Sequence, residues 1–337
     1  MPFVDEITNY ESVAIVGLEK NTGKTECLNY ILNRLRTAPH TIALTSIGID
    51  GESEDQVTGT HKPEIEIAEN TLFVTSEKHY RQKQLISEVL NVGTHRTSLG
   101  RLVTARALSC GKVLLSGPSG TTELKKLIVE LRTIGAQTVL VDGALSRLSL
   151  SSPAITQAMV LATGAALSSD LKQLVRKTRY VYDLIELKEI EGVDRDVFMN
   201  IEKGIWAIDR NKQFHDLKIS SAFLLEKHKE EVFKFGHTLF VAGAVTDSLL
   251  NFLRVQKNVS EIVLVMKDFT RMFASLEVFN AFLKRGGQIK VIQKTKLLAV
   301  CVNPVAPNGF RFDSGELCRV IHQSLGIPVY DIRQMIV

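Results

Sequence analysis

The sequence predicts an α/β protein in which one parallel-sheet domain is followed by a second, smaller α/β domain. Two patterns support this prediction. In the first half of the chain, apolar runs that suit buried strands end in glycine-containing loops and lead into helical stripes, and the same alternation starts again at Thr238. The chain has 337 residues, of which 45% are hydrophobic and 23% charged. This length and composition suit two globular domains that each bury a core.

The first strand and the first helix flank a loop of small and polar residues. Residues 13–16 are apolar and run into Gly17-Leu18-Glu19-Lys20-Asn21-Thr22-Gly23-Lys24-Thr25, which we call the glycine loop. Its residue order is typical of a phosphate-binding loop, in which backbone N–H groups surround the phosphates, the lysine reaches the outer phosphates and the threonine hydroxyl ligates Mg²⁺. The stripe of residues 26–35 predicts a helix whose positive N-terminal end faces the same anion.

The first domain is therefore predicted to be of the P-loop NTPase type, with ATP and Mg²⁺ as its cofactors. Lys24 is the predicted catalytic lysine and Thr25 a predicted metal ligand. The full set of predicted nucleotide-binding residues is Gly17, Lys20, Asn21, Thr22, Gly23, Lys24 and Thr25.

The glycine loop departs from the strict pattern, in which four residues separate the first glycine from the Gly-Lys pair. That position is Leu18 here, and Gly17 lies one residue further away. Lys20 is a candidate for a second phosphate-contacting lysine, of the kind found in the P-loop class that contains MinD, nitrogenase iron protein and dethiobiotin synthetase, although its offset differs from that signature. The competing interpretation is an ordinary helix N-terminus with a solvated lysine.

The second strand is predicted over residues 41–47, and it enters a glycine-rich acidic loop that contains Asp50, Glu52 and Asp55. Such a loop lies where a parallel sheet presents its functional ends. Asp50 is our candidate for a catalytic carboxylate in this loop. Glu52, Asp55 or none of the three are the alternatives for positioning the attacking water.

A later strand ends in another carboxylate. Residues 138–141 are apolar or β-branched and close on Asp142. A buried parallel strand delivers a carboxylate to a metal ion in this way, so Asp142 is the candidate Walker B residue, both catalytic and metal-ligating. The alternative is an aspartate that caps the next turn. Arg147 either contacts a phosphate or pairs with a surface acid.

The loop Gly117-Pro118-Ser119-Gly120-Thr121-Thr122 is a second candidate anion or substrate site, because it joins a predicted strand to a predicted helix. An ordinary strand-to-helix connection is equally consistent with it. Further along, residues 157–165 are predicted to form a helix rich in small residues, and residues 170–182 a basic amphipathic helix. The charged run over residues 186–196, after that helix, indicates a domain boundary. The predicted domains are a nucleotide-binding domain over 1–190, a connecting segment over 191–235 and a C-terminal α/β domain over 236–337.

Composition excludes several classes of function. The first ten residues are acidic and lack the apolar core of a signal peptide, and no run is long enough to span a bilayer, so we expect a cytoplasmic protein without a membrane partner. The four cysteines are scattered, which predicts reduced thiols rather than a zinc or redox site. The net charge of +4 is small and its basic residues are not clustered with aromatics, so nucleic acid is not an expected partner.

Seven segments resemble the P-loop subunit encoded beside adenosylcobalamin-dependent lysine 5,6-aminomutase and ornithine aminomutase. They are residues 17–25, 44–48 with 50–52, 58–63, 116–119, 139–147, 152–156 and 303–304. The resemblance covers nearly the whole chain. It implies the ATPase half of a reactivating factor, paired with a MutS-like partner, that helps a cobalamin-dependent aminomutase to release damaged cofactor. It also implies that Lys24 and Thr25 hold ATP and Mg²⁺, that Asp142 orients the metal, and that the Asp50 loop senses the γ-phosphate.

Two other functions fit the same residues. One is an ATP-dependent ligase or amidase related to dethiobiotin synthetase or the cobyrinate amidases, which activates a small carboxylate and needs substrate-binding residues near residues 119–122. The other is a nucleotide-sensing regulatory module without turnover. The sequence lacks an Asn-Lys-x-Asp guanine signature, which favours ATP over GTP.

Overall fold

A computed structural model describes residues 2–36, 38–47, 65–144, 152, 154–219, 225 and 229–335. The chain divides into two compact units. The first combines Met1–Arg179 with Lys296–Val337, and the second is Tyr180–Thr295. The predicted α/β class is confirmed, because both units contain a sheet with helices.

Within the residues described, the first unit contains a nine-stranded mixed sheet. Its strands, numbered in chain order, follow one another from edge to edge as β16 (Val329–Asp331), β15 (Lys296–Asn303), β9 (Ala158–Gly164), β1 (Ser12–Gly17), β8 (Thr138–Ala144), β2 (Ile42–Ser46), β4 (Leu72–Ser76), β6 (Gly100–Ala107) and β5 (Ser87–Thr97). The strands from β16 to β4 are parallel, and β6 and β5 continue the sheet in antiparallel pairing. Outside this sheet, β3 (Ile65–Ile67) pairs with β7 (Gly111–Val113).

Helices cover both faces of the large sheet. Among the residues described, the α-helices that begin in the first unit are α1 (Pro2–Ile7), α2 (Lys24–Leu35), α3 (Glu77–Gln82), α4 (Thr121–Thr133), α5 (Leu171–Ile185) and α10 (Ser314–Leu325). The apolar stripe of α2 packs in one buried cluster with Val13 and Ile15, whereas the stripe of α4 packs in another with Val139 and Val141. Leu140, between those two valines, belongs to the α2 cluster. Because neighbouring strand residues point to opposite faces, α2 and α4 lie on opposite sides of the sheet.

The strand order creates a switch point beside β1. From β1 the chain passes through α2 to β2, on one side of β1, whereas from β8 it continues to β9, on the other side. Open α/β sheets bind ligands in the crevice at the carboxyl ends of strands where the connections diverge in this way. The glycine loop follows β1, and Asp142 lies near the carboxyl end of the neighbouring β8.

The prediction of a helix over residues 157–165 is wrong, because residues 158–164 form β9. Every residue of β9 is buried, and the strand lies between β1 and β15. A short, fully buried apolar segment has no polar face to reveal its period, so a central parallel strand and a small-residue helix look alike in sequence.

The unit boundaries also differ from the predicted domains 1–190, 191–235 and 236–337. Residues 296–337 belong to the first unit, because β15 pairs with β9 and β16 pairs with β15 in the large sheet. The second unit is therefore an insertion in the first. It begins at Tyr180, within α5 and within the helix predicted over residues 170–182, and it ends at Thr295, directly before β15.

In the residues described, the second unit contains a five-stranded sheet. From edge to edge its strands are β11 (Phe214–Ile219), β10 (Ile205–Ile208), β12 (Thr238–Val241), β13 (Val263–Met266) and β14 (Gln288–Val291). The strands β12, β13 and β14 are parallel, and β10 runs antiparallel to both of its neighbours. The helices are α6 (Arg195–Asn200), α7 (Lys229–Val232), α8 (Asp247–Arg254) and α9 (Leu276–Lys284). Phe198, Phe240 and Val265 are fully buried in its core cluster.

Two further features of the chain concern its helices and its cysteines. Across the part of the chain described, no helix combines the length and apolarity that crossing a membrane requires. The four cysteines are all free; Cys27 and Cys301 are buried, whereas Cys110 is exposed.

Candidate functional site

The glycine loop makes a tight turn between β1 and α2. A Cβ atom added at Gly17 would lie 2.7 Å from Thr22 Oγ1, and the buried Thr22 hydroxyl donates a hydrogen bond to the carbonyl oxygen of Glu19 over 2.8 Å. Asn21 and Gly23 adopt left-handed φ angles of 61° and 91°. Left-handed residues next to right-handed ones turn successive N–H groups towards one side of the chain, which makes a concavity suited to an anion.

Several N–H groups of the loop are available to such an anion. In the described part of the chain, the backbone N–H groups of Asn21, Thr22 and Gly23 donate no hydrogen bond. They lie directly before Lys24, the first residue of α2, where the first N–H groups of a helix lack partners within the helix. The loop therefore presents consecutive unsatisfied donors at the positive end of a 12-residue helix.

Lys24 and Asp142 meet at this end of the sheet. The Lys24 Nζ atom lies 2.9 Å from Asp142 Oδ1, and the two side chains are 20% and 13% exposed. Parallel pairing of β1 with β8 aligns Ile15 with Asp142, which positions the carboxylate beside the loop. Asp142 Oδ1 is buried and makes no directional hydrogen bond, so the two groups are held by charge at short distance rather than by an aligned N–H···O bond.

Asn303, at the end of β15, contacts the glycine loop. A Cβ atom at Gly23 would lie 2.8 Å from Asn303 Cβ, and Asn303 Nδ2 donates a hydrogen bond of 3.4 Å to the carbonyl oxygen of Asn21. Asn303 Oδ1 accepts from the N–H of Val305, and its carbonyl oxygen accepts from the N–H of Ala165. The sequence pattern places Asn303 in the other predicted domain, so this contact was not predicted.

The loop of residues 117–122 reaches the same edge of the sheet. β2 and β4 are paired at Ala43–Leu72 and at Leu44–Phe73. Towards the carboxyl ends of these strands, the segment that precedes the loop lies between them. There the N–H of Ser116 donates to the carbonyl oxygen of Val74, and a Cβ atom at Gly117 would lie 1.6 Å from the carbonyl oxygen of Ser46. Because Ser46 is aligned with Asp142, the loop and the start of α4 lie at the end of β2, one strand away from Asp142.

A buried polar cluster supports this loop. The His79 imidazole Nδ1 and the Ser116 hydroxyl are 3.0 Å apart, and the Thr75 hydroxyl donates to the carbonyl oxygen of Leu114 over 2.6 Å. All three side chains lie in residues that are at least 98% buried. Buried polar groups that are hydrogen-bonded in this way fix one conformation, so the cluster holds the segment before Gly117 in place.

The structure brings together part of the predicted site. Gly17, Asn21, Thr22, Gly23, Lys24 and Thr25 surround the carboxyl end of β1, with Asp142 beside Lys24. Thr25 is half-buried in the first turn of α2, and Lys20 is exposed in the loop. Asp50, its alternatives Glu52 and Asp55, and Arg147 lie outside the residues described. Within those residues, no group of three or more His, Cys, Asp or Glu side chains is arranged to hold a metal ion.

Two cavities are lined by residues other than those of the glycine loop. One, of about 630 Å³, is lined by residues of the second unit that include Lys188, Arg195 and Lys294. The other, of about 370 Å³, lies near the start of β2 and is lined by Arg36 and His40 among others. Neither contradicts a site at the loop, since a phosphate-binding loop wraps an anion with backbone groups and needs no enclosed apolar cavity.

Comparison with known proteins gives no relative: no protein-family model, no curated protein and no solved structure matches the chain. The function is therefore inferred from the geometry around the glycine loop and from the sequence.

Proposed function

We propose that the chain binds ATP and Mg²⁺ through the glycine loop and hydrolyses ATP. The observation that carries this proposal is the position of Lys24 Nζ. This atom lies 2.9 Å from a carboxylate oxygen on the neighbouring strand. In sequence, Lys24 directly follows three residues whose backbone N–H groups have no partner in the described part of the chain. A cation, an amide concavity, a hydroxyl at the next residue and a carboxylate on the adjacent strand are the parts that a magnesium nucleotide requires.

The residues present fit that ligand. Gly17 and Gly23 occupy positions where a Cβ atom would come within 3.0 Å of a neighbour, so the tight turn that carries the loop N–H groups requires residues without a side chain there. The buried Asp142 Oδ1 lacks an aligned hydrogen bond, so it has a lone pair for a hard cation. Thr25 and Asp142 would supply two oxygen ligands, and Mg²⁺ completes its shell with phosphate oxygens and water.

The chain's own groups then have distinct roles. The loop N–H groups and Lys24 orient the phosphates and stabilise negative charge that develops on them. Asp142 would be a ligand of the metal ion and fix its position. Asn303 fixes the backbone of the loop through its hydrogen bond to the carbonyl oxygen of Asn21. The bound magnesium nucleotide would supply the transferable phosphoryl group, and water is its acceptor in hydrolysis. Asp50 remains our candidate for positioning that water.

The biological role that we propose follows the sequence resemblance. The chain would be the ATPase subunit that helps a cobalamin-dependent aminomutase to release damaged cofactor, in the cytoplasm and with a MutS-like partner. ATP binding or hydrolysis drives such a release only if it changes the relative stability of two conformations of the complex. The cobalamin would stay on the aminomutase.

A second function, ligation or amidation of a small carboxylate, is favoured by one observation. The loop before α4 lies at the end of β2, next to the strand that carries Asp142. A substrate anion at the N-terminus of this 13-residue helix would be near the phosphates bound by the glycine loop. We rank this function second because the same loop geometry also serves as a plain connection.

ATP hydrolysis under three conditions separates these functions. The chain is assayed alone, with a cobalamin-dependent aminomutase and a MutS-like protein, and with a panel of small carboxylic acids. Slow hydrolysis that only the proteins stimulate supports the reactivating factor, and stimulation by an acid supports the ligase. Lys24→Ala is the control and should abolish hydrolysis in each condition, because it removes the lysine that is proposed to reach the outer phosphates. Hydrolysis that survives in this variant would contradict the proposed site.

A further inference from the structure

We infer that Asp142 is an internal counter-ion, which forms an ion pair with Lys24 in the nucleotide-free chain and thereby makes nucleotide binding depend on Mg²⁺. This inference rests on the proposed function and adds a form of regulation to the same site. It begins from the 2.9 Å separation of Lys24 Nζ and Asp142 Oδ1.

The location of this pair makes it stronger than an ordinary surface ion pair. Its side chains are 20% and 13% exposed, so water screens the two charges less than it screens a pair in open solvent. Lys24 has no other acidic partner among the residues described. Glu26, two residues further along α2, is engaged instead by Arg333 at 3.2 Å. Within that part of the chain, the positive charge of Lys24 is therefore neutralised by Asp142 alone.

This neutralisation opposes a nucleotide that arrives without its metal. The phosphates would meet a lysine whose charge is already compensated, and a carboxylate of their own sign would lie beside that lysine. If Lys24 turned to the phosphates, Asp142 would be left as a largely buried negative charge without a partner. Binding of metal-free nucleotide is thus weakened by the same residue that is a proposed ligand of the metal.

A divalent cation removes this conflict. Its two positive charges compensate Asp142 and release Lys24 for the phosphates, so the metal and the nucleotide strengthen each other's binding. Asp142 therefore has opposite effects on nucleotide affinity in the absence and in the presence of Mg²⁺.

The test is calorimetric titration of the full chain with ATP, in EDTA and in Mg²⁺. Wild type is compared with Asp142→Asn, which keeps the shape of the side chain and removes its charge, and with Asp142→Ser as a second neutral variant in case the first folds poorly. Glu26→Gln is the matched control, because it removes one negative charge from the same end of α2 without touching Lys24.

We expect Asp142→Asn to bind ATP about tenfold more tightly than wild type in EDTA and to lose most of the gain that Mg²⁺ gives to wild type. Glu26→Gln should match wild type in both conditions. If wild type binds ATP with Mg²⁺ but neither neutral variant binds it more tightly in EDTA, the counter-ion role is refuted while the proposed function stands. If wild type binds no ATP even with Mg²⁺, the proposed function fails and the inference fails with it.

Discussion

Replacement of Gly23 by alanine tests the packing that shapes the glycine loop. Gly23 has a φ of 91°, and its added Cβ would lie 2.8 Å from Asn303 Cβ. The left-handed φ costs about 1–2 kcal/mol for alanine, and overpacking against a buried neighbour costs about 1–3 kcal/mol more. Gly23→Ala should therefore lower the free energy of unfolding by about 2–5 kcal/mol.

A matched glycine separates the two contributions. Gly326, at the end of α10, has a φ of 74° and nothing within 4 Å of an added Cβ. Gly326→Ala should cost only the backbone part, about 1–2 kcal/mol. Both variants are measured by urea unfolding, and the double variant Gly23→Ala/Asn303→Gly should recover part of the steric cost because it removes the opposing Cβ. Equal losses at Gly23 and Gly326, or no coupling with Asn303, would refute the contact between β15 and the loop.

Two further predictions concern single side chains. Thr25→Ala should weaken ATP binding in Mg²⁺ about tenfold and leave ATP binding in EDTA nearly unchanged, because the Thr25 hydroxyl is proposed to ligate the metal. Both affinities are measured by calorimetry. An equal loss of affinity in the two conditions would argue against that role. Burial lowers the pKa of His40 from its ordinary 6.5, so the unfolded chain binds more protons than the folded one and stability falls as pH drops below 6.5. His40→Gln should flatten this part of the stability curve in urea titrations at several pH values, and an unchanged slope would mean that His40 does not contribute it.

The strand, loop and helix around Lys24 were predictable because each carries a local signal. β1 is apolar, the glycines mark the turn, and α2 has a 3.6-residue apolar stripe that is buried as expected. The position of Asp142 was predictable for a related reason, since an apolar run that closes on a carboxylate fits a buried strand, and β8 is that strand.

What the sequence could not reveal is which strands become neighbours. β15 begins at Lys296, far along the chain from the end of β9 at Gly164, because the second unit is inserted between them; the two strands nevertheless pair. No local pattern encodes such pairing, which is decided by how the whole sheet fits together. The contact between Asn303 and Gly23 follows from it, as does the error of assigning residues 296–337 to the second domain.

The short apolar strands show a different limit. The residues Ser109-Cys110-Gly111 are typical of a hairpin turn, but the strands on either side of them are not paired with each other: β6 pairs with β4 and β5, whereas β7 pairs with β3. Turn residues mark where a strand ends without specifying its partner, and strand pairing depends on long-range contacts.

The measurement that tests the central claim most directly is calorimetric titration of the purified chain with ATP and Mg²⁺, with GTP and Mg²⁺ in parallel and Lys24→Ala as the control. The proposal predicts that wild type binds ATP more tightly than GTP, and that Lys24→Ala weakens ATP binding about 100-fold, as expected for the loss of a charge-assisted contact to phosphate. Wild type that binds neither nucleotide, or a variant that binds ATP as tightly as wild type, would contradict the assignment of the glycine loop as a nucleotide site.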